Sequence, residues 1–189
     1  FADLGARVID ADRLGHESLE EATVRAALRA RWGGRVFRSD GEVDRKRVAE
    51  IVFAPTPEGC AERRFLESVV HPRITERLTA ELSRLHGEKY RVVVLDAPLL
   101  IEAGWDRLCG RLVFVDAPRH LRLARAAARG WTEQDVARRE AAQAPLEVKR
   151  RRADATIDNS GTPQQTRVQV ERIWALLVEQ DNPPLSPSE

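Results

Sequence analysis

The sequence predicts an α/β fold in which short parallel strands carry a long helical insertion. Three observations point there. Short apolar runs recur along the chain and each stops on an aspartate. Helix-periodic segments separate those runs. Between the first run and the second, residues 11–90 hold helical patterns with almost no strand signal. Continuous apolar runs of this length, set between helices, read as buried parallel strands, and open sheets of that kind bind ligands at the carboxyl ends of their strands.

In chain order, FADLG at 1–5 reads as the end of a helix closed by Gly5, and RVID at 7–10 as the first strand. Candidate helices follow at 14–32, 44–53, 58–70 and 73–87, the last with Leu78, Leu82 and Leu85 on one face. Asp44 stands where it can cap the second of these, and Pro72 where a first helical turn tolerates proline. One strand-to-strand crossover does not need so much chain, so 13–87 reads as an inserted helical subdomain. The second strand is RVVVLD at 91–96 and the third LVFVD at 112–116. An Arg-dense helical stretch covers 118–152, a weaker fourth strand (ATID) covers 155–158, and a helix at 163–180 closes the fold. The DNPPLSPSE tail is expected to fray. The core segments are then 1–12, 88–117 and 153–189, around the insertion and the 118–152 stretch.

Bulk properties narrow the function. A chain of 189 residues suits one domain, or one core with an insertion. A net charge of +1 gives no strong drive toward nucleic acid or an anionic membrane, and 5% aromatics puts a nucleic-acid role last. No apolar run approaches the roughly 18 residues of a membrane span. Cys60 and Cys109 have neither metal-site nor C-x-x-C spacing, which implies a reducing, cytoplasmic setting. Lys46, Lys89 and Lys149 are the only lysines, so the positive charge is nearly all Arg. That suits planar forks on phosphates and equally suits an Arg-rich codon bias.

Four constellations carry possible chemistry, each with a plainer alternative. Asp10 and Asp12 stand where a strand stops. They could cap the next helix, or, by strand alternation, point together at one substrate hydroxyl and take its proton. Arg122, Arg125 and Arg129 are spaced to share a helix face, with Arg138 and Arg139 beyond. They read either as a lid over phosphates or as a solvated face. Asp96, opening DAPLLIE, resembles the acid that holds a Mg²⁺-bound water in nucleotide-binding folds, or else caps a helix. IDNSG at 157–161 makes a tight turn that can bring an Asn amide to a purine.

Taken in order these segments resemble dephospho-CoA kinases. The resemblance rests on VIDAD (8–12) with His16, DGEVDRKRVAEIVF (40–53), VVHPRI (69–74), VLDAPLLIEAG (94–104), the Arg125 and Arg129 pair, Gln143 and ADATIDNSG (153–161). It implies a P-loop kinase-type sheet with an inserted substrate-binding subdomain and a helical lid. It further implies transfer of the ATP γ-phosphate to the ribose 3′-hydroxyl of dephospho-CoA, with Mg²⁺. Asp12 corresponds to the family's catalytic base. Asp10, His16, Arg45, His71, Leu99 and Glu102 fall on the acceptor side. Arg125, Arg129 and Arg139 fall in the lid over ATP, with Asn159 and Gly161 near the adenine and Asp96 in the second shell of the metal.

The chain departs from the family at Glu140, where the pattern places an apolar residue, and in lacking any G-x-x-x-x-G-K-[ST]. That loop normally supplies the backbone amides and the Lys that cradle phosphates. With no initiator Met and a start in mid-helix, the chain reads as truncated, with weak ATP binding and little turnover expected of it as it stands. The alternatives are another small-molecule P-loop kinase, or a CoA- or nucleotide-binding protein without a phosphate loop.

Overall fold

The computed structural model describes residues 1–88 and 90–180, so the tail expected to fray lies outside the described residues. The chain runs β1 (Arg7–Asp10), α1 (Ala11–Ser18), α2 (Ala22–Trp32), α3 (Arg45–Val52), α4 (Pro57–Gly87), β2 (Val93–Asp96), β3 (Val113–Asp116), α5 (Arg119–Ala127), α6 (Glu133–Glu140), α7 (Leu146–Arg152), β4 (Ala155–Asp158) and α8 (Pro163–Gln180). The α/β class holds, and all four strands lie where the apolar runs placed them.

Among the described residues the strands form two parallel pairs rather than one sheet. In β1–β2, Asp10 lies opposite Asp96; in β3–β4, Asp116 lies opposite Asp158. Every strand therefore ends on an aspartate at a carboxyl edge. The expectation of buried strands is corrected. Ile9 and Ile157 are buried, but Val8 is 38% and Val115 55% exposed. A strand in a two-stranded pair keeps one edge unpaired, so its apolar residues gain cover on fewer sides.

The main core lies in the helical insertion. Leu28, Leu78 and Leu85 are fully buried there, together with Val24, Val36 and Trp32. Trp32 packs edge-on to Phe65 at 5.5 Å, and its Nε1 donates to Glu62 at 2.8 Å. Each fully buried Leu contributes roughly 1.5–3 kcal/mol relative to exposure.

Two helix boundaries differ from expectation. The segment 14–32 is broken at residues 19–21, where Glu21 turns extended and the Arg77 fork reaches both Glu21 (2.8 Å) and Glu17 (3.0 Å) from α4. Conversely, 58–70 and 73–87 are one helix, with Pro72 inside it rather than at its start. Val70, Ile74, Leu78 and Leu85 are all buried, so one apolar face runs straight past the proline. The packing of that face outweighs the missing backbone hydrogen bond. Asp44 caps α3 as expected, accepting from Lys46 and Arg47 backbone amides.

Candidate active site

Burial of Ile9 fixes β1 and so fixes where the chain leaves it. Asp10 ends the strand with extended backbone, and its Oδ1 accepts the Arg13 amide of α1 at 2.9 Å. Of the two readings open for Asp10, the helix cap is the one the structure shows. Asp12 lies in the first turn of α1, not on the strand. The strand alternation that would have aimed Asp10 and Asp12 together does not apply, because helical geometry turns residues two apart by about 200°.

Four titratable groups from three parts of the fold nevertheless act on Asp12. Its carboxyl is raised above the ordinary aspartate range, first by burial among protein groups and next by the Asp10 carboxylate. His16 pulls it down, Asp96 of β2 pushes it up, and Arg139 of α6 pulls it down. Asp12 remains exposed enough to meet a substrate. The carboxylate is thus accessible and carries a raised pKa, two properties a proton acceptor needs.

Arg139 lies against two aromatic rings. Its guanidinium carbon lies 4.1 Å from the Trp131 ring centroid and 5.2 Å from that of Phe53, so one ring comes from the lid and one from the insertion. Its helix is anchored by a reciprocal cap between Thr132 and Asp135. Cation–π contacts of this kind restrain a guanidinium that keeps its charge for an anion.

The other arginines of the 118–152 stretch sort differently. Arg129 falls beyond the end of α5, so Arg122, Arg125 and Arg129 do not share one helix face as their spacing suggested. Arg122 pairs with Glu140, which explains an acid at a position where the family pattern places an apolar residue. Arg125 Nη2 donates to the Asn159 carbonyl at 2.9 Å, joining two of the expected ATP-side residues. Asn159 is itself fixed, its amide donating to the Asp116 carbonyl at 2.8 Å and its Oδ1 accepting from Thr166 at 3.1 Å. A Cβ at Gly161 would fall 2.2 Å from Gln165 Oε1, the atom that accepts the Thr162 amide.

On the acceptor side, His71 packs against Trp105 with ring centroids 5.4 Å apart. Thr75 links the two, accepting from Trp105 Nε1 and donating to the His71 carbonyl, both at 2.9 Å. Burial holds the His71 pKa below the usual histidine value, with Glu67 opposing, so the ring is mainly neutral at pH 7. His16 and Arg45 are exposed on α1 and α3. Leu99 is partly buried in a turn whose Ala103 amide donates to its carbonyl at 2.9 Å. Glu102 does not stand open: its Oε1 accepts the Ala144 amide at 2.6 Å and pairs with Lys149 at 3.0 Å.

No helix begins at Asp96, so its helix-cap alternative is not realised. As to Mg²⁺, no group of three or more His, Cys, Asp or Glu side chains converges among the described residues. Asp12 and Asp96 interact and offer the hard oxygen donors Mg²⁺ takes. Two carboxylates completed by substrate phosphates and water is its usual setting, and the residues fit that role.

Lys149, Trp131 and Phe53 were not singled out by sequence reasoning. Rarity alone could have flagged Lys149, one of three lysines in an Arg-rich chain; no spacing marks the two aromatic rings.

Comparison with known proteins supplies the rest. The family model described as dephospho-CoA kinase matches residues 1–165. A dephospho-CoA kinase of Symbiobacterium thermophilum is 40% identical over 90% of this chain and 70% of its own length. One from Thermobifida fusca is 38% identical over 92% of this chain and 84% of its own. Among solved structures, that of TT1252 from Thermus thermophilus superposes with a TM-score of 0.75 at 32% identity, covering 93% of this chain and 87% of that one. Dephospho-CoA kinase from Campylobacter jejuni shares the fold, with a TM-score of 0.67 at 23% identity, over 95% of this chain and 89% of that one.

Proposed function

The chain belongs to the dephospho-CoA kinase family, which catalyses the last step of CoA biosynthesis, and from that premise we propose how its residues divide the work. ATP is the phosphate donor and the ribose 3′-hydroxyl of dephospho-CoA the acceptor. The observation that carries this reading is the convergence on Asp12 of Asp10, His16, Asp96 and the lid's Arg139.

Asp12 takes the proton of the 3′-hydroxyl as its oxygen attacks the γ-phosphorus, and the bond to the β–γ bridging oxygen breaks to release ADP. The raised pKa favours that step, since a poorly solvated carboxylate is the better proton acceptor. Arg139, held against Trp131 and Phe53, faces the charge that spreads over the equatorial oxygens. Arg125 and Arg129 add cations on the donor side, with Asn159 and Gly161 shaping the turn beside the adenine. His16, Arg45 and His71 of the 13–87 subdomain, with Leu99, hold the acceptor; Asp10 fixes the turn that presents Asp12. Bound Mg²⁺ would neutralise phosphate charge, held by the phosphates and water with Asp12 and Asp96 near it. The chain as given carries no G-x-x-x-x-G-K-[ST], so the phosphate cradle is not among its residues.

Among the described residues no helix is long and apolar enough to cross a membrane. A cytoplasmic site of action is part of this proposal.

A substrate panel tests it. A chain carrying a phosphate loop ahead of Phe1 is given ATP with dephospho-CoA, a nucleoside monophosphate or shikimate, and products are identified by ³¹P NMR. Phosphorylation confined to the 3′-position of dephospho-CoA is expected. Preference for another acceptor would replace the reading with a different small-molecule kinase. No transfer at all, with dephospho-CoA still bound, would leave a binding protein.

A further inference from the structure

Lys149 lies on α7, at the downstream end of the 118–152 stretch, yet its contacts are not those of a surface lysine. Its ammonium meets three acceptors: the Pro98 carbonyl at 2.8 Å, Gln143 Oε1 at 2.9 Å and Glu102 Oε1 at 3.0 Å. Two of these contacts are hydrogen bonds and the third is an ion pair, so the ammonium is engaged on three sides. The pair is also largely covered, with side-chain exposures of 13% for Lys149 and 19% for Glu102. Glu102 is engaged from the same direction a second time, by the Ala144 backbone amide at 2.6 Å.

These partners belong to two separate pieces. Pro98 and Glu102 belong to the loop after β2, the PLLIE segment that also carries Leu99. Gln143 and Ala144 belong to the connection between α6 and α7, immediately downstream of the helix that presents Arg139. In a chain whose cations are otherwise almost all Arg, a lysine here has a chemical reason. Three acceptors on three separate residues suit a compact ammonium, whereas a planar guanidinium fork matches paired oxygens.

Resting on the functional reading above, we infer that Lys149 is a positioning residue: with Glu102 it locks the loop 97–104 to the downstream root of the lid, so the two move as one piece. Glu102 is thereby a structural partner of the lid rather than a direct ligand of the acceptor. The consequence is mechanical. When the lid carries Arg139 over the donor, the loop beside Asp96 is drawn with it, and the hinge that absorbs lid motion must lie upstream, near α5. Donor closure and acceptor alignment are then one event.

Hydrogen exchange followed by mass spectrometry on the full chain tests this without any turnover. Lys149→Met, Glu102→Gln and the double variant are compared with the parent. Both 97–104 and 141–149 are expected to exchange about tenfold faster in each single variant, since each leaves a covered polar group short of a partner. The double variant should add little more, because either change undoes the same clasp. Peptides of β3 and β4 should keep the parent rate. Acceleration confined to 141–149, or additive effects, would overturn the coupling. If Lys149→Met loosens β4 as well, Lys149→Arg is the second variant. It keeps the charge but not the three-way geometry, and must still accelerate both segments with β4 unchanged.

The same variants in a phosphate-loop-bearing chain separate this inference from the functional reading. Coupled exchange with no phosphorylation of dephospho-CoA in the parent would sink the function and leave the clasp. Normal phosphorylation with exchange changes in one segment only would sink the clasp and leave the function.

Discussion

At Asp12 the proposed chemistry and the stability of the fold pull in opposite directions. Burial and the neighbouring Asp10 raise its pKa, so its charged form is less welcome in the folded chain than in the unfolded one. For an acid shifted upward, the folded state binds more protons across the window between the two values, and stability falls as pH rises through it. The destabilising effect grows as pH rises through that window and vanishes below the ordinary aspartate value of 3.8. Asp12→Asn should therefore shift the denaturant midpoint upward at pH 7, with the gap closing as pH approaches that value. Equal midpoints at pH 7 would mean that Asp12 is not held in an unfavourable setting. Sequence could nominate this residue through VIDAD but could not supply that setting, because Asp96 and Arg139 reach it only through strand pairing and lid placement. It also gave Asp10 two readings, and the choice between them depended on a turn one residue long.

At the scale of elements, sequence patterns located strands well and helix ends less well. Four apolar runs became four strands because β-branched residues flanked by polar ones leave little else to do. Pro72 misled because its local preference for a first helical turn yielded to a buried face spanning Val70 to Leu85. The break at 19–21 was invisible because Arg77, which clamps it, comes from a distant helix. The start of α4 carries a tighter constraint that no pattern announced. Thr56 caps it by accepting the Gly59 amide at 3.1 Å, and a Cβ on Gly59 would fall 2.2 Å from the Ala54 carbonyl oxygen. That neighbour is backbone and cannot swing aside. Gly59→Ala should lower stability by about 1–3 kcal/mol or more, read from chemical denaturation. An unchanged or higher midpoint, as helix propensity alone predicts, would show that the 54–59 turn relaxes freely.

Across the whole molecule, the division of labour is legible from composition and order. The helical segment between β1 and β2 holds the main core, while the paired strands contribute carboxyl-terminal aspartates and the 118–152 stretch contributes arginines. What sequence could not show is how these parts meet. Arg139 spans the insertion and the lid through Phe53 and Trp131, and Lys149 ties the lid root to the loop after β2. Both contacts join residues far apart in the chain with no periodicity to betray them. The sheet's division into two pairs was equally unreadable, since pairing partners are chosen by packing and not by strand sequence. The central claim is that this assembly places one proton acceptor, Asp12, at the acceptor hydroxyl. It is tested most directly by single-turnover transfer from ATP to dephospho-CoA in a phosphate-loop-bearing chain, with Asp12→Asn beside the parent and acceptor affinity measured by calorimetry. A rate lower by on the order of 10²-fold or more, with dephospho-CoA still bound, is the predicted result. A variant that transfers phosphate at nearly the parent rate would contradict it.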